Sequence, residues 1–219
     1  MEPLTIALPK GRMQDDIFDL LAAAGYPVRP EVVNSRRLIF EDDSGTLRFI
    51  MAKPTDVAIF VEYGAADLGA VGVDVLREWP RDVYEPLGLG VGYCRLVLAG
   101  PPESRKRNLR LEANPRVASK YPRLTREYFQ RQGISAEIIP LSGSVELAPA
   151  VGLTDLLVDL VQTGRTLVEN GLVEIETILE SQAMLVVNRA SHRLRANDVQ
   201  RLVRELADVV AQRKEGMNA

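Results

Sequence analysis

The sequence of 219 residues has few of the features that several protein classes require. Its single cysteine, Cys94, excludes an internal disulfide and a thiolate metal cluster and favours a reducing compartment. It has no run of about 18 uncharged apolar residues and no secretory signal pattern near its start. With 27 basic and 30 acidic residues, it carries no positive excess that would attract nucleic acid or anionic lipid. We therefore expect a soluble cytoplasmic protein whose anion sites are local.

Strand patterns and helix patterns alternate along the chain. The run "LTIAL" (4–8) predicts a strand, and "DDIFDLLAAAG" (15–25) then repeats apolar residues at helical spacing until a glycine ends it. The same alternation follows at "LRFIMA" (47–52) and restarts at "GYCRLVLAG" (92–100). Such a rhythm is typical of an α/β protein, and the restart predicts a second α/β unit.

The segment "DLLVDLVQTGRT" (155–166) combines an apolar pattern with two aspartates. Its spacing predicts a helix with Asp155 and Asp159 one turn apart, outside the buried stripe. The helix is then expected to end in a polar turn of Thr163, Gly164, Arg165 and Thr166. Free backbone amides, threonine hydroxyls and a glycine at the start of a new helix suit a phosphate monoester. An ordinary corner between two helices, with both aspartates in water, explains the pattern as well.

Two other segments are candidate ligand sites. In "PKGR", Lys10 and Arg12 directly follow the first strand, where open α/β sheets place their ligands. Basic residues after a strand also often lie in solvent. The small residues of "EYGAADLGAVG" (62–72) allow close approach of a planar ligand, although tight packing of a helix on a sheet explains them equally.

These motifs together resemble the short-form catalytic subunits of the ATP phosphoribosyltransferase family. The resemblance covers nearly the whole chain through "LPKGR", "VEYGAADLGAVGVDVL", "KYPRLTREYF" and "SGSVELAPAVGLTDLLVDLVQTGRTLVENGL". The last segment follows the family signature at Glu146, Gly152, Asp159 and Thr163-Gly164-x-Thr166-Leu167. Three positions depart from the family pattern: Lys53 and Ala58 replace an arginine and a proline, and Tyr63 replaces a common histidine.

The resemblance implies transfer of the phosphoribosyl group of 5-phosphoribosyl 1-pyrophosphate to N1 of ATP, the first step of histidine biosynthesis. The implied catalytic residues are Lys10, Arg12 and Asp159, with both cations facing pyrophosphate or the ATP phosphates. The 5-phosphate would lie in the turn of Thr163, Gly164, Arg165 and Thr166, and the ribose hydroxyls would contact Glu146, Asp155 or Asp159. The remaining substrate-binding candidates are Glu62, Gly64, Asp67 and Lys53. The implied cofactor is Mg²⁺, held mainly by substrate phosphates and without a dedicated protein ligand.

The implied fold is a two-lobe α/β architecture of the type II periplasmic-binding-protein kind, with the active site in the interlobe cleft. Lobe one would contain residues 1–92 and 175–219, and lobe two residues 93–174 with the phosphoribosyl pyrophosphate motif. The resemblance also implies a regulatory subunit similar to histidyl-tRNA synthetase, joined in a hetero-octamer that senses histidine. The partners expected are thus ATP, 5-phosphoribosyl 1-pyrophosphate and this subunit, with neither nucleic acid nor membrane.

Two other functions remain open at this point. One is a binding module of the same architecture that captures a small anion without chemistry, although it would not need acidic residues beside the turn. The other is a phosphoribosyltransferase with a different base acceptor. The sole histidine, His192, is expected at the surface, because it lies in a polar stretch beyond the motifs. The implied reaction needs no general base, since adenine N1 already carries a lone pair.

Overall fold

The computed structural model describes residues 2–33 and 35–218. The strands are β1 Leu4–Pro9, β2 Ile39–Glu41, β3 Leu47–Ala52, β4 Leu68–Gly72, β5 Tyr84–Gly88, β6 Cys94–Gly100, β7 Arg116–Ser119, β8 Glu137–Pro140, β9 Leu156–Val161, β10 Val173–Ser181 and β11 Ala183–Val187. The helices are α1 Gln14–Ala23, α2 Pro30–Val33, α3 Pro54–Glu62, α4 Val73–Glu78, α5 Pro122–Arg131, α6 Leu147–Ala150, α7 Arg165–Glu169, α8 Arg189–Leu194 and α9 Ala196–Asn218. None of the described helices is both long enough and apolar enough to cross a membrane.

The first compact unit contains the residues up to Tyr93 and those from Gln182 onward. Its sheet has the order β2-β3-β1-β4-β11-β5, with β1 parallel to both β3 and β4. Apolar side chains cover both faces because neighbouring residues of a strand point in opposite directions. Ile6 thus joins one buried cluster and Ala7 joins the other. The carboxyl ends of β1, β3 and β4 lie along one edge of this sheet.

The second compact unit runs from Cys94 to Ser181. Its sheet has the order β10-β6-β9-β7-β8, in which β7 runs parallel to β9 and β6 runs antiparallel to it. The carboxyl ends of β7 and β9 therefore lie at the same edge. The predicted alternation of strands and helices in two α/β units is confirmed.

The helix predicted from Asp155 is wrong, because residues 156–161 form strand β9. This strand lies between β6 and β7, and Leu156, Leu157 and Val158 are completely buried. A strand covered on both faces is apolar at nearly every position, so its pattern resembles that of a buried helix. The two aspartates are consequently about 13 Å apart along an extended chain rather than one helical turn apart.

The boundary expected at residue 175 falls inside strand β10. This strand pairs with β6 from Val173 to Ser181, so its hydrogen bonds keep it in the second unit. The chain passes to the first unit only at Gln182. The sequence pattern marks strands here but does not indicate which sheet each strand joins.

Candidate active site

The carboxyl end of β9 opens into a cavity of about 460 Å³ within the second unit. Six of the predicted site residues line it, namely Glu146, Asp159, Thr163, Gly164, Arg165 and Thr166. The predicted start of a new helix at the turn is confirmed, since α7 begins at Arg165. The cavity thus joins two carboxylates to a turn of polar residues.

Gly164 gives the turn its shape. Its φ of +79° lies in the left-handed region, where residues other than glycine are strained. A Cβ atom added here would also lie 3.4 Å from Oε1 of Glu174. Because Gly164 turns the chain sharply, the hydroxyl of Thr163 accepts a long hydrogen bond of 3.5 Å from the N–H of Arg165.

Asp159 is the half-buried carboxylate of the cavity. Burial is the largest influence on this carboxyl and raises its pKa above the ordinary aspartate value. The N–H of Leu160, 2.8 Å from Oδ1, acts in the opposite direction. The negative charge of Glu146 raises the Asp159 pKa further, and the positive charge of Lys120 lowers it. Asp159 therefore interacts electrostatically with another predicted site residue.

Asp155 lies at the other end of β9 and is not part of this cavity. Its Oδ2 accepts a 3.0 Å hydrogen bond from the backbone N–H of Arg116, and the Arg116 guanidinium is 3.8 Å away. These contacts fasten the starts of β7 and β9 together. The structure thus separates the two aspartates that the helical pattern had placed side by side.

In the first unit, Lys10 and Lys53 follow the neighbouring parallel strands β1 and β3. The N–H of Lys10 donates to the carbonyl of Ala52 at 2.9 Å, which keeps the two strand ends together. Both lysine side chains are exposed. Since the carboxyl ends of parallel strands form the usual ligand edge of an open sheet, this pair is placed to bind an anion.

Arg12 differs from Lys10 although both belong to the same loop. Its guanidinium donates to the carbonyls of Gly92 at 3.3 Å and Tyr93 at 3.5 Å. Gly92 has a φ of +68°, and a Cβ atom there would lie 2.5 Å from the sulfur of Met13. Arg12 therefore stabilises the segment through which the chain leaves the first unit.

Glu62, Gly64 and Asp67 lie at the opposite edge of this sheet, because they span the end of α3 and the turn that leads into β4. Glu62 accepts hydrogen bonds from the N–H of Asp82 at 2.8 Å and from Arg81 at 3.1 Å, and the first of these lowers the Glu62 pKa most. Asp67 accepts from the N–H of Thr5 and forms an ion pair with Arg195 at 3.0 Å. Their contacts connect elements of the first unit, and the structure does not bring them to Lys10 and Lys53.

The small residues of "EYGAADLGAVG" serve close packing in the first unit. A Cβ atom at Gly69 would lie 2.8 Å from a methyl of Val61 and 2.9 Å from a methyl of Val57. Only glycine allows α3 to approach β4 this closely. The alternative of tight packing between helix and sheet therefore accounts for Gly69.

The three departures from the family pattern occupy different environments. Lys53 is exposed beside Lys10, whereas Ala58 is buried in α3 and packs on the sheet. Tyr63 follows α3 and is 79% exposed. Only Lys53 therefore lies at the carboxyl edge where ligands are expected.

His192, expected at the surface, is half-buried, and its ring centroid is 4.7 Å from that of Tyr84.

Sequence reasoning missed Ser144 and Gln162, which also line the cavity. Ser144 has a φ of +48°, a conformation that its sequence neighbourhood does not reveal. It also missed Lys120, the first residue after β7. The strand-end rule that selected Lys10 applies equally to Lys120, because Lys120 directly follows β7.

Comparison with known proteins identifies the family. A family model described as ATP phosphoribosyltransferase matches residues 53–208. An ATP phosphoribosyltransferase from Geobacillus kaustophilus is 51% identical over 209 residues, which cover 95% of this chain and 99% of the relative. The chain belongs to the ATP phosphoribosyltransferase family. Another relative of that name, from Sorangium cellulosum, is 49% identical over 210 residues and covers 96% of this chain and 97% of its own. This family catalyses the first step of histidine biosynthesis.

Solved structures agree with the family and with the fold. A chain of the ATP phosphoribosyl transferase (HisG:HisZ) complex from Thermotoga maritima has a TM-score of 0.79 and 34% identity, covering 95% of this chain and 99% of its own. The periplasmic aliphatic sulphonate-binding protein from Escherichia coli has a TM-score of 0.61 at 11% identity, covering 100% of this chain and 76% of its own. The second likeness concerns the fold alone. It confirms the predicted class, an α/β protein like the type II periplasmic binding proteins.

Proposed function

We propose that this chain binds the phosphoribosyl donor at the cavity beside β9 and transfers its phosphoribosyl group to N1 of the adenine of ATP. Pyrophosphate is the other product. The observation that carries this proposal is that Asp159, Glu146 and the turn at 163–166 share one cavity. A phosphate site and two carboxylates side by side suit a ligand with both a phosphate ester and ribose hydroxyls.

The turn is the proposed site of the 5-phosphate. Its threonine hydroxyls and the first backbone N–H groups of α7 have no partner inside the helix and can donate to phosphate oxygens. Gly164 leaves room for the phosphate to approach the backbone. Asp159 and Glu146 then accept hydrogen bonds from the ribose hydroxyls. Because such hydrogen bonds favour the charged form of a carboxyl group, we expect Asp159 to be ionised when the donor is bound.

Lys10 and Lys53 are the proposed phosphate ligands of the first unit. Each can bind oxygens of the ATP phosphates or of the departing pyrophosphate. Negative charge accumulates on the pyrophosphate during C–O bond cleavage. Lys53 provides a compact charge in place of the forked guanidinium that the family pattern predicts, so it binds without bidentate geometry. Arg12 contributes by fixing the backbone of the adjacent segment.

The side chains of the cavity are suited to hold Mg²⁺. Glu146 and Asp159 provide the carboxylate oxygens that Mg²⁺ prefers, and it usually binds one or two carboxylates together with substrate phosphates. When bound, Mg²⁺ neutralises charge that develops on the pyrophosphate. Among residues 2–33 and 35–218, no three His, Cys, Asp or Glu side chains form a metal-binding group.

We also propose a cytoplasmic location, because ATP and the phosphoribosyl donor are cytoplasmic metabolites.

No general base is required for the transfer. Adenine N1 attacks with its own lone pair, so positioning and charge neutralisation account for the acceleration. The purified protein should release pyrophosphate from 5-phosphoribosyl 1-pyrophosphate only when ATP is present. Product formation with another nucleobase instead of ATP would assign a different acceptor, and binding of the donor without any product would leave an anion-binding module.

We also propose that the chain works with a regulatory subunit similar to histidyl-tRNA synthetase in a hetero-octamer. The support is its 34% identity to one chain of the Thermotoga maritima complex; the match covers 99% of that chain. Allosteric inhibition requires a second site and two states that the inhibitor distinguishes.

Histidine is therefore expected to inhibit the reconstituted complex strongly and the isolated chain very little. Adding the partner is expected to raise turnover. Initial rates measured over a range of histidine concentrations, with and without the partner, test both statements. Strong inhibition of the isolated chain, noncompetitive with both substrates, would contradict this assignment of control.

A further inference from the structure

Lys120 is a basic residue at the same sheet edge as Asp159. In the parallel pair of β7 and β9, Ser119 lies opposite Val158. Lys120 follows Ser119 and Asp159 follows Val158, so Lys120 and Asp159 occupy neighbouring positions at this edge of the sheet. The Lys120 side chain is exposed, and its positive charge acts on the Asp159 carboxylate.

A buried hydrogen-bond network fixes the backbone on both sides of Lys120. The hydroxyl of Ser119 donates to the carbonyl of Val158 at 2.9 Å and accepts from the N–H of Tyr121 at 2.8 Å. The hydroxyl of Thr125 donates to the carbonyl of Tyr121 at 2.7 Å. Ser119 and Thr125 are completely buried. The lysine is thus held on a rigid turn, although its own side chain reaches into solvent.

The charge of the cavity gives this position a function. Glu146 and Asp159 place two carboxylates where a strongly anionic donor must bind, so cations are needed beside them. Arg165 supplies one in the turn. Lys120 lies on the β7 side of Asp159, whereas the turn lies beyond the end of β9.

We propose that Lys120 binds the pyrophosphate group of the phosphoribosyl donor, an assignment that rests on the proposed function. The donor carries its 5-phosphate and its pyrophosphate on opposite sides of the ribose. The second unit presents its groups in the same order: the turn for the 5-phosphate, Asp159 for the ribose, and Lys120 for the pyrophosphate. The ammonium group neutralises the charge that remains on the pyrophosphate when the C–O bond breaks.

The test compares Lys120→Met, which keeps an apolar stem without the charge, with Lys120→Arg. Binding of inorganic pyrophosphate is measured by calorimetry, and KM for the donor is measured at saturating ATP. Lys120→Met is expected to weaken pyrophosphate binding and to raise KM for the donor, each by about tenfold or more. Lys120→Arg is expected to retain most of both.

The matched control is Lys106→Met. Lys106 is another exposed lysine of the second unit, and it follows the end of β6. Because β6 runs antiparallel to β9, Lys106 lies towards the opposite edge of the sheet. Its replacement is expected to leave pyrophosphate binding and KM unchanged. A Lys106→Met effect equal to that of Lys120→Met would overturn the proposal by showing a general charge effect.

A double-mutant cycle with Asp159→Asn separates ligand binding from neutralisation of the carboxylate. If Lys120 contacts pyrophosphate, Lys120→Met weakens binding in the Asp159→Asn background as well. If the effect disappears there, Lys120 acts only through Asp159 and the proposal is overturned. The two proposals can fail separately. If Lys120→Met loses pyrophosphate binding but the wild type has no transferase activity, the assignment of Lys120 is supported and the proposed function is contradicted.

Discussion

Replacing Asp159 with asparagine is expected to lower turnover by at least about tenfold, which corresponds to about 1.4 kcal/mol of transition-state stabilisation. Asparagine keeps one oxygen acceptor but loses the charge that strengthens hydrogen bonds from ribose hydroxyls. Steady-state rates with both substrates saturating measure this effect. Unchanged kinetics in a folded variant would remove Asp159 from the site.

The same substitution is expected to leave the ligand-free protein as stable as the wild type or more stable at neutral pH. Burial raises the Asp159 pKa in the folded state, so folding favours the protonated form. The stability this provides is present at low pH and is lost as pH rises through the folded-state pKa. Asparagine, which is always neutral, avoids that loss. The difference in unfolding temperature between variant and wild type should therefore shrink on acidification.

Asp155→Asn is the matched control for both measurements, because Asp155 lies on the same chain segment but outside the cavity. It is expected to leave turnover within about twofold of wild type. Its unfolding temperature should fall slightly, since the carboxylate bonds the N–H of Arg116. A loss of turnover equal to that of Asp159→Asn would show that the effect at Asp159 does not depend on its place in the cavity.

Lys10→Met is expected to lower turnover or weaken substrate binding by about tenfold or more, since one phosphate-binding charge is lost. Its unfolding temperature should stay nearly constant, because the side chain is exposed and forms no hydrogen bond or ion pair among the described residues. Lys10→Arg, which keeps the charge, should retain most activity. Kinetics and thermal unfolding of each variant supply the comparison.

Arg12→Met is expected to lower the unfolding temperature as well as the activity. The variant loses the guanidinium that donates to the carbonyls of Gly92 and Tyr93. The family resemblance implied that both basic residues of this loop face substrate phosphates, which by itself predicts no loss of stability. Reduced stability with wild-type kinetics in Lys10→Met would make Lys10 a structural residue too.

The sequence by itself determined the α/β class and most individual elements. Alternating apolar runs mark β1 and β3, and the helical spacing between them marks α1, because burial of one face imposes a period of 2 or 3.6 on the chain. The turn at 163–166 was also predictable, because Thr163 and Gly164 interrupt the apolar pattern. Its role in binding phosphate stays a prediction.

Tertiary structure alone decided the nature of the segment before that turn. Its apolar pattern fits a helix or a buried strand equally, and only pairing with β6 and β7 makes it strand β9. That choice separates Asp155 from Asp159 and brings Asp159 level with Lys120. Pairing likewise placed Asp67 at the opposite edge of its sheet from Lys10. Which residues share a sheet edge depends on contacts between distant segments, and these have no periodic signal in the sequence.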